Sequence, residues 1–213
     1  MNTLLLLLIA ANVLVSFKAF NDLLFFRKYE FHIGSIRSGE HIRMISSAFL
    51  HADLGHLFFN MFTLFMFAPV VTAYLDSLSF LTIYFGSLVF GSLLTLMMHK
   101  DDYSYRAVGA SGAVTGVLYS AILLEPGMSL YLFFIPIPIP AYLFGIGYLL
   151  YSIYGMKAKN DNIGHTAHFG GAVGGFLITL IKYPQVLSQE PFMVGLLLVP
   201  IVILFFMARS GKI

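Results

Sequence analysis

No cysteine occurs in this chain. That excludes a disulfide framework and a thiolate metal site, and it leaves the redox state of the compartment open. Charge is almost as scarce. Only 10% of the residues are Asp, Glu, Lys or Arg, against 59% apolar, where a soluble domain is about a quarter charged and roughly half apolar. The formal net charge of +2 is too small to suggest a nucleic-acid partner. There is no repeat of fixed period and no low-complexity linker. The opening stretch "MNTLLLLLIAANVLVSFKAF" lacks a basic leading region and a clear small-residue cleavage site. It reads as a retained first helix rather than a cleaved signal.

What is present is hydrophobic. Mean hydropathy is +0.87, and apolar runs of about 18 residues or more read as transmembrane helices, since roughly 20 residues at 1.5 Å each cross the hydrocarbon core. Seven apolar segments can be marked, at about 3–20, 56–75, 79–98, 110–124, 130–152, 167–182 and 192–208. The expected fold class is therefore all-α, a polytopic transmembrane helix bundle, with residues 1–213 forming a single membrane-embedded domain. Residues 21–55 form the one long connection and carry Arg27, Lys28, Glu30, Arg37, Glu40 and Arg43. Connections of that length are more often functional or partly structured than idle. The fifth segment contains "IPIPIP", Ile135 to Pro140, which no regular helix tolerates. The chain is expected to enter that segment extended and to become helical near Ala141.

Polar side chains inside a membrane are functional candidates by default, and three clusters stand out. The first holds His51, His56 and Asn60, the last two four apart and so on one helical face. The second is "GASG", with Ser111 between glycines at the expected start of the fourth helix. The third, "GHTAHFGGAVGG", holds His165 and His168. Taken singly, each has an ordinary explanation: a serine caps a helix, a histidine sits at an interface, an asparagine bonds between helices. Taken together they supply a nucleophile, a base and oxyanion donors, the parts that acyl transfer requires. With seven crossings, all three clusters fall on one side of the membrane.

The glycines suggest how the clusters meet. Gly112 and Gly116 are four apart, as are Gly170 with Gly174 and Gly171 with Gly175. Small residues at that spacing let helix backbones approach closely in lipid, so packing segment four against segment six would carry Ser111 toward His168. A neutral His168 would take the serine proton. The developing oxyanion would sit at the fourth helix N-terminus, near the backbone N–H of Ser111 and the side chains of His56 and Asn60. No carboxylate is obviously placed to orient His168, so a two-residue dyad is expected. Asp161 is the nearest acidic residue in sequence.

These residues carry a resemblance. Over roughly residues 40–182 the chain resembles the rhomboid family of intramembrane serine proteases. "RMISSAFLHADLGHLFFNM" is similar to the first-loop and second-helix motif, "GASG" to the nucleophile motif, "AHFGGAVGG" to the sixth-helix histidine motif and "FIPIPIPAYLFGIGYLLYS" to the start of the fifth helix. The resemblance implies a six-helix core over about 3–182, with one extra C-terminal helix over about 192–208. It implies Ser111 as nucleophile, His168 as general base and His56 and Asn60 as oxyanion donors. His51 would brace the first loop, with Gly109, Gly112, Gly171 and Gly175 structural near the site. It further implies no cofactor and no metal, single-span transmembrane proteins as substrates, membrane lipid as surroundings, and a bacterial plasma membrane as location. Segment five and the loop after it would form the gate and cap.

The chain departs from the family pattern in places. Its first loop has Ile42-Arg43 where a Trp-Arg pair is common. Thr115 stands four residues after the nucleophile, where an aromatic residue often packs on the histidine. The far end of the second helix, "APVVTAYLD", lacks a frequent acidic residue. In the family's orientation eleven of the twelve Lys and Arg lie outside, all but Lys182, against the positive-inside rule. The family orientation is still expected, because the first loop is a folded element whose charges serve its structure. Two other readings stay beside the protease: a non-catalytic relative that binds transmembrane segments, and a metal or proton transporter built on His51, His56, His165 and His168.

Overall fold

The computed structural model describes residues 2–132, 135–158 and 163–210. The first apolar run forms α1 (Thr3–Asn21), opened by the Asn2 side chain, which accepts from the Leu4 N–H. Its buried residues Leu5, Leu8, Asn12, Ser16 and Ala19 recur every three or four positions. One face therefore meets protein and the rest is left to lipid.

The long connection is folded. It contains α2 (Leu23–Tyr29), β1 (Phe31–His32), α3 (Ile33–Arg37), α4 (Arg43–Ser46) and a 3-10 turn at Ser47–Phe49. Much of its charge is tied into that structure. The Arg43 guanidinium is buried; it donates to the carbonyls of Arg27 and Glu30 and pairs with Glu40 at 2.6 Å. The buried Glu30 carboxylate receives Arg27 and Arg106. β1 pairs antiparallel with β2 (Arg106–Ala107), so the first loop is stitched to the chain just before the fourth apolar segment. The expectation that these charges serve the loop is met by this network.

The membrane helices follow as α5 (Leu54–Tyr74), α6 (Ser77–Met98), α7 (Ser111–Leu124), α8 (Ala141–Ala158) and α9 (His165–Lys182). After the short α10 (Val186–Gln189) comes α11 (Pro191–Arg209), the extra C-terminal helix. Asp53 and Asp76 cap α5 and α6 by accepting from His56 N and Ser79 N. Before α8 the chain is extended, as expected, but it is also paired: β3 (Ser129–Leu132) lies antiparallel to β4 (Ile135–Pro140), with Leu130 opposite Ile139. Successive N–H groups of a strand point to opposite edges. An Ile-Pro alternation leaves the isoleucines as the N–H donors of this strand, and the pairing shifts register between Leu130 and Leu132.

Among the described residues four helices, α1, α5, α6 and α11, are long and apolar enough to cross a membrane, and the chain is a multi-pass membrane protein. α7 sits at the centre, in contact with α5, α6, α8 and α9, and every residue from Gly112 to Leu124 is buried. Its 14 residues span only about 21 Å at 1.5 Å each, less than the ~30 Å hydrocarbon core. A helix so short, held inside the bundle, leaves an end sunk below the membrane surface. α11 packs on α8.

Candidate active site

The start of α7 is made by Gly109, whose φ of 122° belongs to the left-handed region. A side chain there would be doubly excluded, since a Cβ would lie 2.6 Å from His56 Cε1 and 2.7 Å from its Nε2. The Gly109 N–H donates to the Ser47 carbonyl at 3.0 Å, tying this turn to the first loop. No side chain caps α7. The Ser111 hydroxyl does not serve as a cap; its Oγ lies 2.6 Å from His168 Nε2.

That contact depends on how α7 crosses α9. A methyl built on Gly171 falls on the Gly112 backbone, and one built on Gly175 falls on the Gly116 backbone. The two helices thus touch main chain to main chain. The other glycine pair does different work: Gly170 and Gly174 face Phe90, Gly91 and Ser87 of α6. Assigning both pairs to the α7 crossing is corrected on this point. α9 offers one small-residue face to α7 and another to α6.

His56 lies in the first turn of α5, beside Gly109. A long hydrogen bond, 3.5 Å, runs from the Ala52 N–H to His56 Nδ1. An accepting Nδ1 leaves the proton of the neutral ring on Nε2, the nitrogen turned toward Gly109. Asn60, one turn on and buried, donates one amide hydrogen to the His56 carbonyl at 3.0 Å. Its second amide hydrogen lies outside that bond. His51 is fully buried behind His56, their rings edge to face at 5.0 Å, and its Nδ1 is 2.8 Å from Ser16 Oγ of α1. Burial, and then the neighbouring His56, pushes His51 down to about 3, so it stays neutral near neutral pH. His165 is not at the serine. It is buried between α9 and α8, against Gly155 and edge to face with Tyr151.

One participant was not singled out in the sequence. The Tyr148 hydroxyl of α8 lies 2.7 Å from His168 Nδ1, and the two rings stack at 5.6 Å with 25° between planes. The aromatic partner of the histidine therefore comes from α8, and Thr115, four residues after Ser111, donates its hydroxyl to the Ser111 carbonyl at 2.7 Å. Tyr148 carried no distinguishing signal, being one of four tyrosines in α8. Asp161 lies outside the described residues. Among the described residues no three His, Asp or Glu side chains converge as a metal set would.

Beside Ser111 is a cavity of about 40 Å³, bordered by Ser47, Ser92, Thr95, Gly109, Gly112 and Ala167. A water needs roughly 10–15 Å³ and two to four polar partners, and Ser47, Ser92, Thr95 and Ser111 are among the residues that line this space. The site thus joins a serine and a histidine, a helix N-terminus without a side-chain cap, an imidazole N–H and an amide, with room for water alongside.

Residues 38–185 match the profile of the Rhomboid domain family. A Bacillus subtilis (strain 168) protein named "Putative rhomboid protease YdcA" is 33% identical over 154 residues, 68% of this chain and 69% of the relative. The Arabidopsis thaliana protein named "RHOMBOID-like protein 12, mitochondrial" is 31% identical over 76% of this chain and 52% of its own length. The Saccharomyces cerevisiae protein named "Rhomboid protein 1, mitochondrial" is 31% identical over 64% of this chain and 40% of its own length. The chain thus spans about half or less of these two mitochondrial relatives. With the domain profile covering well over half the chain, and the motifs that carry the resemblance folded around one serine, the chain belongs to the rhomboid family.

Proposed function

We propose that the chain is an intramembrane serine endopeptidase that hydrolyses peptide bonds of transmembrane substrate helices through a Ser111–His168 dyad, with residues 1–213 acting as one membrane-embedded domain. The observation that carries this reading is the 2.6 Å approach of Ser111 Oγ to His168 Nε2 at the start of a short, buried helix that no side chain caps. In the first half-reaction Oγ attacks the scissile carbonyl carbon while its proton passes to Nε2. The oxyanion so formed is stabilised by the Ser111 N–H, the helix dipole, His56 Nε2–H and the second amide hydrogen of Asn60. The C–N bond then breaks as Nε2 returns the proton to the leaving nitrogen, leaving an ester on Ser111. In the second half-reaction water attacks the ester, loses a proton to Nε2 and releases the acid, and Oγ regains its proton. The cavity beside Ser111 supports a local supply of that water.

The substrate class follows from the same chemistry. A peptide bond within an intact helix has its carbonyl bonded and its backbone screened, so attack requires local unwinding. Each backbone group freed in lipid costs several kcal/mol unless it is bonded again. Single-span helices carrying Gly, Pro, Ser or Ala near the active-site end of the span are the proposed substrates, and replacing those residues by Leu is expected to slow cleavage. Equal rates for a uniformly Leu-rich helix and its Gly-containing variant would refute this specificity.

A bacterial plasma membrane is proposed as the location. The Bacillus subtilis relative is matched over 69% of its length, against 52% and 40% for the two mitochondrial ones. Membrane fractionation of the native host checks it. The function itself is tested with purified protein in lipid, several single-span substrates and a Ser111→Ala control. Cleavage by the wild type, none by the variant, and fluorophosphonate labelling of Ser111 are expected. Cleavage that survives Ser111→Ala removes the nucleophile assignment. Binding of the substrates without cleavage by the wild type favours a non-catalytic binder.

A further inference from the structure

A histidine that takes a proton from serine must present an unprotonated nitrogen to it. His168 turns Nε2 toward Ser111 Oγ, so in its neutral form the ring hydrogen has to sit on Nδ1. The group that meets Nδ1 therefore decides whether the base is productive or carries its hydrogen on the wrong side.

That group is Tyr148, at 2.7 Å. A phenolic hydroxyl can donate or accept, and its direction is settled by the other nitrogen of the ring. With Nε2 facing the Ser111 hydroxyl as the acceptor, the neutral imidazole carries its hydrogen on Nδ1, and the Tyr148 oxygen accepts it. The opposite order, with Tyr148 donating to Nδ1, would put the hydrogen on Nε2 and leave no lone pair there for the serine proton. The Thr115 hydroxyl is directed to the Ser111 carbonyl, at 2.7 Å.

We infer that Tyr148 is a positioning residue of His168, whose hydroxyl oxygen holds the imidazole in the tautomer able to accept the Ser111 proton. The inference rests on the proposed dyad. It adds that the base is set by α8, a helix that carries neither member of the dyad. The stacked rings restrict rotation of the imidazole, and the hydroxyl selects its protonation. These two contributions are separable, because Tyr148 also borders an open groove of about 380 Å³ with Leu143, Phe144, Gly147 and Tyr151. The ring is thus exposed to whatever lies in that groove, whereas the hydroxyl points to the dyad.

The test uses the full chain in lipid nanodiscs. Tyr148→Phe keeps the ring and removes the hydroxyl; Tyr148→Leu removes both. In the wild type the ¹⁵N spectrum of His168 is expected to report hydrogen on Nδ1. In Tyr148→Phe it should move toward the Nε2–H form, and kcat should fall about tenfold, the value of one neutral hydrogen bond, with KM changed less than twofold. Tyr148→Leu should lose more, since it also removes the stacked ring. Wild-type kcat with an unchanged ¹⁵N spectrum in Tyr148→Phe would overturn the inference, as would a fall in melting temperature that accounts for all the lost activity in both variants. The dyad reading fails separately, through cleavage that survives Ser111→Ala, and the tautomer measurement needs no turnover at all.

Discussion

The candidate site is assembled from two contacts of opposite character. α7 and α9 meet through bare backbone, Gly112 and Gly116 against Gly171 and Gly175. α8 meets its neighbours through side chains: Tyr119 donates to the Gly145 carbonyl, His165 fills the space over Gly155, and Tyr148 stacks on His168. The first contact brings Ser111 to His168. The second supplies the partner of the histidine's other nitrogen. A main-chain crossing has no rotamers with which to absorb an extra atom, whereas a side-chain contact can repack. Ser111 and His168 are thereby brought together by a surface with little room to adjust, and Tyr148 is brought to His168 by a more adjustable one.

The comparison breaks first at Gly171. Gly171→Ala places a methyl on the Gly112 main chain, and overpacking of this kind costs about 1–3 kcal/mol or more. Thermal denaturation should register that loss, and fluorophosphonate labelling of Ser111 should fall with it because the crossing sets the dyad distance. Labelling at the wild-type rate would show that Ser111 reaches His168 without the close crossing. A third helix supplies the next test. Asn60→Ala on α5 removes one proposed oxyanion donor while His56 and the Ser111 N–H remain, so kcat should drop on the order of tenfold to a hundredfold at nearly constant KM. A raised KM at unchanged kcat would assign Asn60 to ground-state binding instead.

His51 tests whether the wall behind α5 is as unforgiving as the glycine crossing. Its pKa is depressed from 6.5 to about 3, so between these values the unfolded chain holds a proton that the folded one refuses. Stability should therefore rise with pH across that window, by up to about 1.4 kcal/mol per pH unit from this group, and level off above it. Comparing wild type with His51→Gln in denaturation at pH 5 and pH 7 isolates the effect, and an identical pH response in both would remove His51 as its source. The smallest change is expected on the adjustable side. A Cβ on Gly147 of α8 meets nothing within 4 Å, so Gly147→Ala should move stability by less than about 1 kcal/mol, in the favourable direction set by helix propensity. A loss as large as that of Gly171→Ala would erase the distinction between the two contacts.

Much of this protein was legible before any coordinates. Six of the seven apolar segments coincide with helices, and the fifth becomes helical at Ala141 after its extended entry, because a helix satisfies its backbone polar groups within one segment and so suits lipid. Ser111, His168, His56 and Asn60 stood out because polar groups are costly in a membrane and rarely occur there without a reason. Tyr148 stood out for nothing: a tyrosine on an apolar helix is ordinary, and only its distance to Nδ1 distinguishes it. The folded first loop was likewise visible only as charge without partners, since Glu30 and Arg106 are 76 positions apart.

The division has a physical cause. Composition and period act within a segment, so the sequence alone determined that the chain spans a membrane, where its helices lie, that Ile135 to Pro140 is extended, and which side chains are anomalous for lipid. Contacts between segments depend on how whole helices cross and on which of several equivalent residues ends at the crossing. Only the tertiary structure decided that Gly171 and Gly175, rather than Gly170 and Gly174, face α7. It alone turned the extended stretch into a hairpin with Ser129–Leu132, sent His165 to α8 and left His168 with Ser111, and brought Tyr148 to the imidazole. Those are differences of an ångström or two between distant parts of the chain, and no local pattern encodes them.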